Sequence, residues 1–188
     1  SDIRVALDRK EGTLLVLLDL SSAFDAIDHT ILLNRLRKRY GIQSYALQWI
    51  ASYLQDRKQR VVIGQTTSEH HTCNTGVPQV SVLGPALFSL YVQPVGDVIR
   101  RHGVKFHHYA DNLQLMHTFA LNSTSLFEAI KRLQACIMEI REWLTSNDLK
   151  VNDQKTELLP IVPVSAKKLV NELSISVGGA LIRAAAKA

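Results

Sequence analysis

The spacing of apolar residues changes several times along this chain, and each change predicts an element. Thr13 to Leu20 holds the unbroken run Leu14-Leu15-Val16-Leu17-Leu18, which predicts a short strand buried on both faces. Ile31, Leu32, Leu33 and Leu36 then recur at helical spacing opposite Arg35, Lys38 and Arg39, with Gly41 as the stop. Leu47, Ile50, Ala51 and Leu54 predict a second helix over Ser44 to Leu54. Arg60 to Ile63 and roughly Glu69 to Asn74 read as paired strands around Gly64. Ser81 to Arg101 is mostly helix, entered through Gly84-Pro85, where proline is tolerated in a first turn. Val104 to Tyr109 and Leu113 to Phe119 read as strands joined by a tight turn. Leu126, Ile130, Leu133, Ile137, Ile140 and Leu144 predict a long helix from Ser125 to Ser146. Short strands at Leu149 to Val151 and Glu157 to Val162 follow, and the pattern weakens beyond Pro163. Helices grouped against a sheet that contains a hairpin predict an α+β fold, not a parallel doubly wound one.

Composition narrows the class. With 188 residues, 46% hydrophobic and 21% charged, the chain is long enough to bury a core and is not disordered. A net charge of +5 is mildly basic, compatible with a nucleic-acid partner without demanding one. Cys73 and Cys136 are far apart and lack ligand spacing, which argues against a disulfide framework or zinc site and for a reducing compartment. The charge-free stretch Val80 to Gly96 is broken by Pro85, Gln93 and Pro94, so it predicts a buried helix and no membrane span. His70-His71 and His107-His108 are adjacent pairs on predicted strands, so their side chains diverge and do not chelate together.

Candidate chemistry concentrates in two carboxylates. Asp19 ends the first apolar run, and Asp111 lies at the tip of the hairpin Tyr109-Ala110-Asp111-Asn112. A carboxylate at the end of a buried strand needs a partner, because an unpaired buried charge is very costly. One partner is the helix that follows, which Asp19 would cap; the other is Mg²⁺, with Asp111 as a second hard oxygen ligand. Gly76 to Pro85, read from the residues alone, is a loop opening a helix.

Together these segments resemble the reverse transcriptases of non-LTR (LINE-type) retrotransposons. Leu18 to His29 (Leu-Asp-Leu-Ser-Ser-Ala-Phe-Asp-Ala-Ile-Asp-His) is similar to their first palm motif. Residues 76–85 are similar to the template- and nucleotide-positioning loop, and 109–112 to the Tyr-Ala-Asp-Asp box. Asp56 to Val61 and Leu149 to Glu157 fit in order and spacing, and the resemblance spans residues 1–182.

It implies a polymerase palm with part of the fingers over 1–162, and a C-terminal edge over 163–188 approaching the primer grip. It implies RNA template, DNA primer and dNTP as partners, no membrane, and an intracellular setting in nucleus or cytoplasm. Asp19 and Asp111, with the Leu20 carbonyl, would hold two Mg²⁺ ions that activate the primer hydroxyl and steady pyrophosphate. Ser22 and Ala23 amides would face the triphosphate, and Phe24 would exclude a 2′-hydroxyl. Gln79 would touch the nascent base pair, and Lys155 would donate a proton to the leaving group. Phe24 as plain core and Lys155 as a solvated lysine are the alternatives. Arg57, Lys58 and Arg60 are candidates for phosphate backbone, as is the basic helix end at Arg35, Arg37, Lys38 and Arg39.

Two departures alter the expectation. Val80 stands where the family has glycine, and a β-branched residue disfavours positive φ and close approach. Asn112 stands where the family has a second aspartate, removing a full charge beside the metals. A loss of that kind is expected to slow the reaction by roughly 10²–10³-fold or more. The expected activity is impaired or absent, as in a decayed or repurposed copy whose remaining fingers, thumb and endonuclease belong to a parent polyprotein. A non-catalytic nucleic-acid-binding remnant or scaffold is the competing reading, and an unstable isolated piece is a third.

Overall fold

The computed structural model describes residues 2–21, 23–78, 81–177 and 179–184. In chain order the elements are α1 (Asp2–Asp8), β1 (Glu11–Ser21), α2 (His29–Lys38), α3 (Ser44–Leu54), β2 (Lys58–Gln59), β3 (Val62–Ile63), β4 (Thr66–Thr67) and β5 (His71–Thr72). They continue with α4 (Gly84–Val92), α5 (Val95–Arg101), β6 (Lys105–Tyr109), β7 (Asn112–Ala120), α6 (Ser123–Thr145), β8 (Lys150–Val151), β9 (Glu157–Ile161), β10 (Ser174–Val177) and β11 (Ala180–Arg183). They form two compact units: Ser1–Ser21 with Pro94–Ser146 and Lys150–Ala188, and Ser22–Gln93 with Asn147–Leu149.

The first unit is built on an antiparallel sheet ordered β6-β7-β1-β8, with β9 also on β1. Strand β1 pairs with β7 from Glu11↔Ala120 to Asp19↔Asn112, and with β9 from Thr13↔Ile161 to Leu17↔Glu157. Its even positions Leu14, Val16, Leu18 and Leu20 are buried, whereas Leu15, Leu17 and Asp19 are only half-buried. The apolar run therefore has one closed and one partly open face, a correction to the reading of two buried faces. Alternation, not uniform burial, leaves Asp19 on the open side.

Helix α6 packs on β7 and β10 through Leu126, Ala129, Leu133, Cys136, Ile137, Ile140 and Leu144. It begins at Ser123, two residues before the predicted start, and the preceding Asn122 side chain accepts the Ser125 amide at 2.8 Å. Burial pushes the Cys136 thiol up to about 12, and both cysteines are free. The hairpin β10–β11 and helix α1 were not visible in the hydrophobic pattern; each gains its place by packing, β11 on β9 and α1 on β1.

In the second unit α2 packs on α3 and α4. Arg35 is committed to this unit's interior, donating to the Tyr91 carbonyl and the Asn147 side chain while lying 4.8 Å from the Tyr91 ring centroid. The Tyr91 hydroxyl donates to the Asn147 carbonyl at 2.8 Å, and burial pushes it up to about 12. Among the basic residues at the end of α2, Arg35 is thus structural. The strands around Gly64 form two nested ladders, Val62–Ile63 with Thr66–Thr67 and Lys58–Gln59 with His71–Thr72. The single helix expected over Ser81 to Arg101 is instead α4 and α5, broken at Gln93-Pro94. Proline removes a helical donor and crowds the preceding turn. Among the described residues, no helix is long and apolar enough to cross a membrane.

Candidate functional site

Backbone pairing makes Asp19 and Asp111 of the first unit neighbours. The last pair of the β1–β7 ladder sets Asp19 opposite Asn112, and Tyr109↔Asn112 closes the hairpin with Ala110 and Asp111 as its two turn residues. The left-handed conformation falls on Ala110, at φ +51°. Positive φ at the first of two turn positions is the type II′ pattern, which normally takes glycine. The turn is tied back to β1 by the Leu20 amide, which donates to the Asp111 carbonyl at 3.1 Å. Asp19, on the strand, and Asp111, in the turn, thus lie beside each other from positions 92 residues apart in the sequence (111 − 19).

Lys155 joins them from a one-turn 3-10 helix. Its ammonium lies 3.3 Å from the Asp19 carboxylate, whose side chain is 16% exposed. The Asn152 amide donates to the Asp19 carbonyl at 2.8 Å, and the Asn152 side chain accepts the Gln154 amide at 3.2 Å. Arg141 of α6 grips Asp153 in the same turn with both terminal nitrogens and holds that carboxyl below the usual range. Asn112 directs its amide NH₂ at the Asp111 carboxylate, 3.5 Å away. A donor therefore stands where a second aspartate would present an acceptor. His108, half-buried next to the turn, has its pKa lowered by burial.

These donors suit a hard cation in part. Two carboxylates are what a Mg²⁺ ion that keeps water and phosphate ligands typically draws from a protein. A pair of ions calls on more charge than that, and among the described residues no cluster of three His, Cys, Asp or Glu side chains is placed to hold a metal.

In the second unit the segment after β1 is clasped to the loop before α4. The Gly76 amide donates to the Ile27 carbonyl at 2.8 Å and the Val77 amide to the Phe24 carbonyl at 2.9 Å. His29 and Arg57 meet the Gly76 carbonyl at 2.8 and 3.2 Å. Gly76 has φ +81°, and a Cβ there would sit 3.0 Å from the Asp25 backbone, so only glycine fits. Ala23 is buried, and the Phe24 ring packs on Phe88 with centroids 4.8 Å apart. Asp25, Arg57, Gln59, His71 and Asn74 line a polar cleft of about 800 Å³. Of the three basic candidates, Lys58 and Arg60 are exposed, while Arg57 spends a hydrogen bond on the loop. Ser22, Gln79 and Val80 lie outside the described residues.

Sequence reasoning missed His29, Asn152 and Arg141. Asp28, likewise given no role, carried a local signal: its carboxylate caps α2 through the Ile31 amide at 2.7 Å, three residues on.

The model of the reverse transcriptase (RNA-dependent DNA polymerase) family matches residues 2–171. The chain belongs to that family. It is 31% identical over 80% of its length to a probable RNA-directed DNA polymerase from transposon BS of Drosophila melanogaster. It is 28% identical, also over 80%, to the RNA-directed DNA polymerase from the mobile element jockey of the same fly. The chain spans only 17% and 16% of those relatives. The motif resemblance to non-LTR enzymes stands with these relatives. Among solved structures, apo telomerase from Candida tropicalis, truncated from its C-terminal domain, superposes with a TM-score of 0.62 at 13% identity. That match covers 97% of this chain and 36% of the telomerase. At that identity the likeness establishes fold, and the fold is a polymerase palm. Reverse transcriptases as a family use divalent metal ions.

Proposed function

We propose that this chain is the palm portion of a mobile-element RNA-directed DNA polymerase, adding deoxynucleotides to a primer on an RNA template, with activity impaired by Asn112 and Val80. One observation carries the reading: Asp19 and Asp111 flank the end of one ladder, while the third family carboxylate is an amide aimed at Asp111. Asp19, Asp111 and the Leu20 carbonyl are assigned to the metal. Bound Mg²⁺ would supply Lewis-acid stabilisation of phosphoryl oxygens. Lys155, paired with Asp19, supplies the positive charge nearest that carboxylate and is the candidate proton donor. Arg141, through Asp153, is the positioning residue for the turn that carries it. Ala23 and Phe24 are assigned to the nucleotide, the Phe24 ring braced by Phe88. Ser22, Gln79 and Val80 keep their family assignments to triphosphate and base pair. Such chemistry belongs inside the cell, in nucleus or cytoplasm.

The test is primer extension on RNA with Mg²⁺, comparing the chain with its Val80→Gly/Asn112→Asp variant. Extension by the variant and not by the parent supports the reading. Robust extension by the parent overturns the impairment. Extension by neither, with salt-sensitive binding of primer-template by both, favours the non-catalytic binding remnant, a reading the Asp19–Lys155 ion pair also suits.

A further inference from the structure

Helix α3 exposes what its composition says it should bury. Its predicted apolar face, Leu47, Ile50, Ala51 and Leu54, is buried or half-buried, but Tyr45, Ala46 and Trp49 are exposed. Tyr45, Trp49 and Tyr53 follow at intervals of four, which places them on one face about 6 Å apart along the helix axis. Tyr45 is 87% exposed and Trp49 58%. The Trp49 and Tyr53 rings are nearly parallel, 11° apart with centroids at 6.1 Å, and Tyr53 is half-buried, which anchors the row. An isolated exposed aromatic needs no explanation; a stacked pair with a third exposed ring on the same helix face does.

The charge around the row identifies its occupant. Between residues 30 and 68 there are seven Lys or Arg side chains against one carboxylate, Asp56. Arg37 and Lys38 are exposed at the end of α2, next to the start of α3, and Lys58 and Arg60 are exposed just past its end. Among the described residues none of these four forms an ion pair. A face covered by protein is depleted of charge at its core. A stacked aromatic pair with a third exposed ring, on a helix flanked in sequence by exposed basic residues, instead matches the needs of a single strand, whose bases stack and whose phosphates require cations.

We propose that the exposed aromatic row of α3, with the basic residues at its two ends, is a docking surface for single-stranded RNA. Stacking gives it little sequence preference and counter-ion release gives it salt dependence. The inference rests on the reading of the chain as a domain that handles RNA, but not on catalysis.

The experiment uses Trp49 as its own reporter. With Trp143→Phe as background, Trp49 is the sole tryptophan of the full chain, and it is titrated with an unstructured RNA oligonucleotide and with an abasic strand of the same length. Saturable quenching by the RNA and not by the abasic strand is the expected result. By fluorescence anisotropy of labelled RNA, Trp49→Ala and Tyr45→Ala each weaken binding roughly tenfold. Both side chains lie largely in solvent, so unchanged circular dichroism is expected alongside. Equal binding of the abasic strand, or affinity indifferent to Trp49→Ala, overturns the proposal. So does a Trp49 spectral shift that depends on protein concentration without RNA, which would show a second copy covering the face. Primer extension by the Val80→Gly/Asn112→Asp chain is read in parallel. Its absence with Trp49 stacking intact removes the polymerase reading and leaves the surface standing; its presence with Trp49 indifferent to RNA does the reverse.

Discussion

The two units hold their candidate residues by different means. In the first, main-chain pairing does it: a continuous ladder from Glu11↔Ala120 to Asp19↔Asn112 ends at the carboxylates, and a two-residue turn sets Asp111. In the second, side chains clamp carbonyl oxygens: Arg35 on Tyr91, and His29 with Arg57 on Gly76. A ladder tolerates substitution of almost any side chain along it, because its bonds belong to the backbone. A clamp weakens with one residue, because the acceptor left behind loses a donor. Side chains of the first kind can change while the fold persists, because the ladder that ends at Asp19↔Asn112 is held by main-chain bonds.

The largest expected effect tests the ladder's end. In the Val80→Gly/Asn112→Asp background, Asp19→Asn abolishes primer extension, at least about a thousandfold, while the thermal transition barely moves. A comparable loss of stability would mean that Asp19 is structural and that the contrast is wrong. Next comes the clamp. Arg35→Met leaves the Asn147 side chain and the Tyr91 carbonyl without their half-buried donor, and about 1–3 kcal/mol of stability is lost in urea denaturation. Hydrogen exchange should accelerate in α2 and α4 while β1 amides stay protected; uniform acceleration would show that the two units do not open separately.

A smaller gain is expected at the turn. Ala110→Gly relieves the left-handed strain at φ +51° and stabilises the chain by up to about 1 kcal/mol, measured by chemical denaturation. A loss there would mean that neighbouring packing, not backbone strain, governs the turn.

The smallest effect is in pH. Burial, with Arg132 nearby, lowers the pKa of His117 on β7. The unfolded chain therefore binds the proton more readily, and the neutral ring favours folding above its ordinary value near 6.5. That contribution declines as pH falls below the ordinary value, and His117→Phe should flatten the decline. An unchanged pH profile in that variant would assign the acid sensitivity elsewhere.

Much of the first unit was legible because its signals are local. An apolar run ended by an acid, a tight turn between two strands and a long helix with regular spacing are each written in neighbouring residues. Where reading failed, the deciding interaction was distant. Pro94 split a helix that hydrophobicity alone had joined, and the half-open face of β1 depends on what packs beside it. Arg35 looked like a surface cation because the residues it bonds to, Tyr91 and Asn147, are 56 and 112 positions away.

By itself the sequence carried the family resemblance, from which the palm architecture was read, and the order of Asp19, Asp111 and Asn112, since these are matters of residue type and order. Only the tertiary structure decided that Lys155 pairs with Asp19, that Arg57 and His29 share one carbonyl, and that the aromatic row of α3 stays in solvent. The physical reason is range: periodicity reports which face of an element is apolar, while burial and partnership depend on which other elements arrive there.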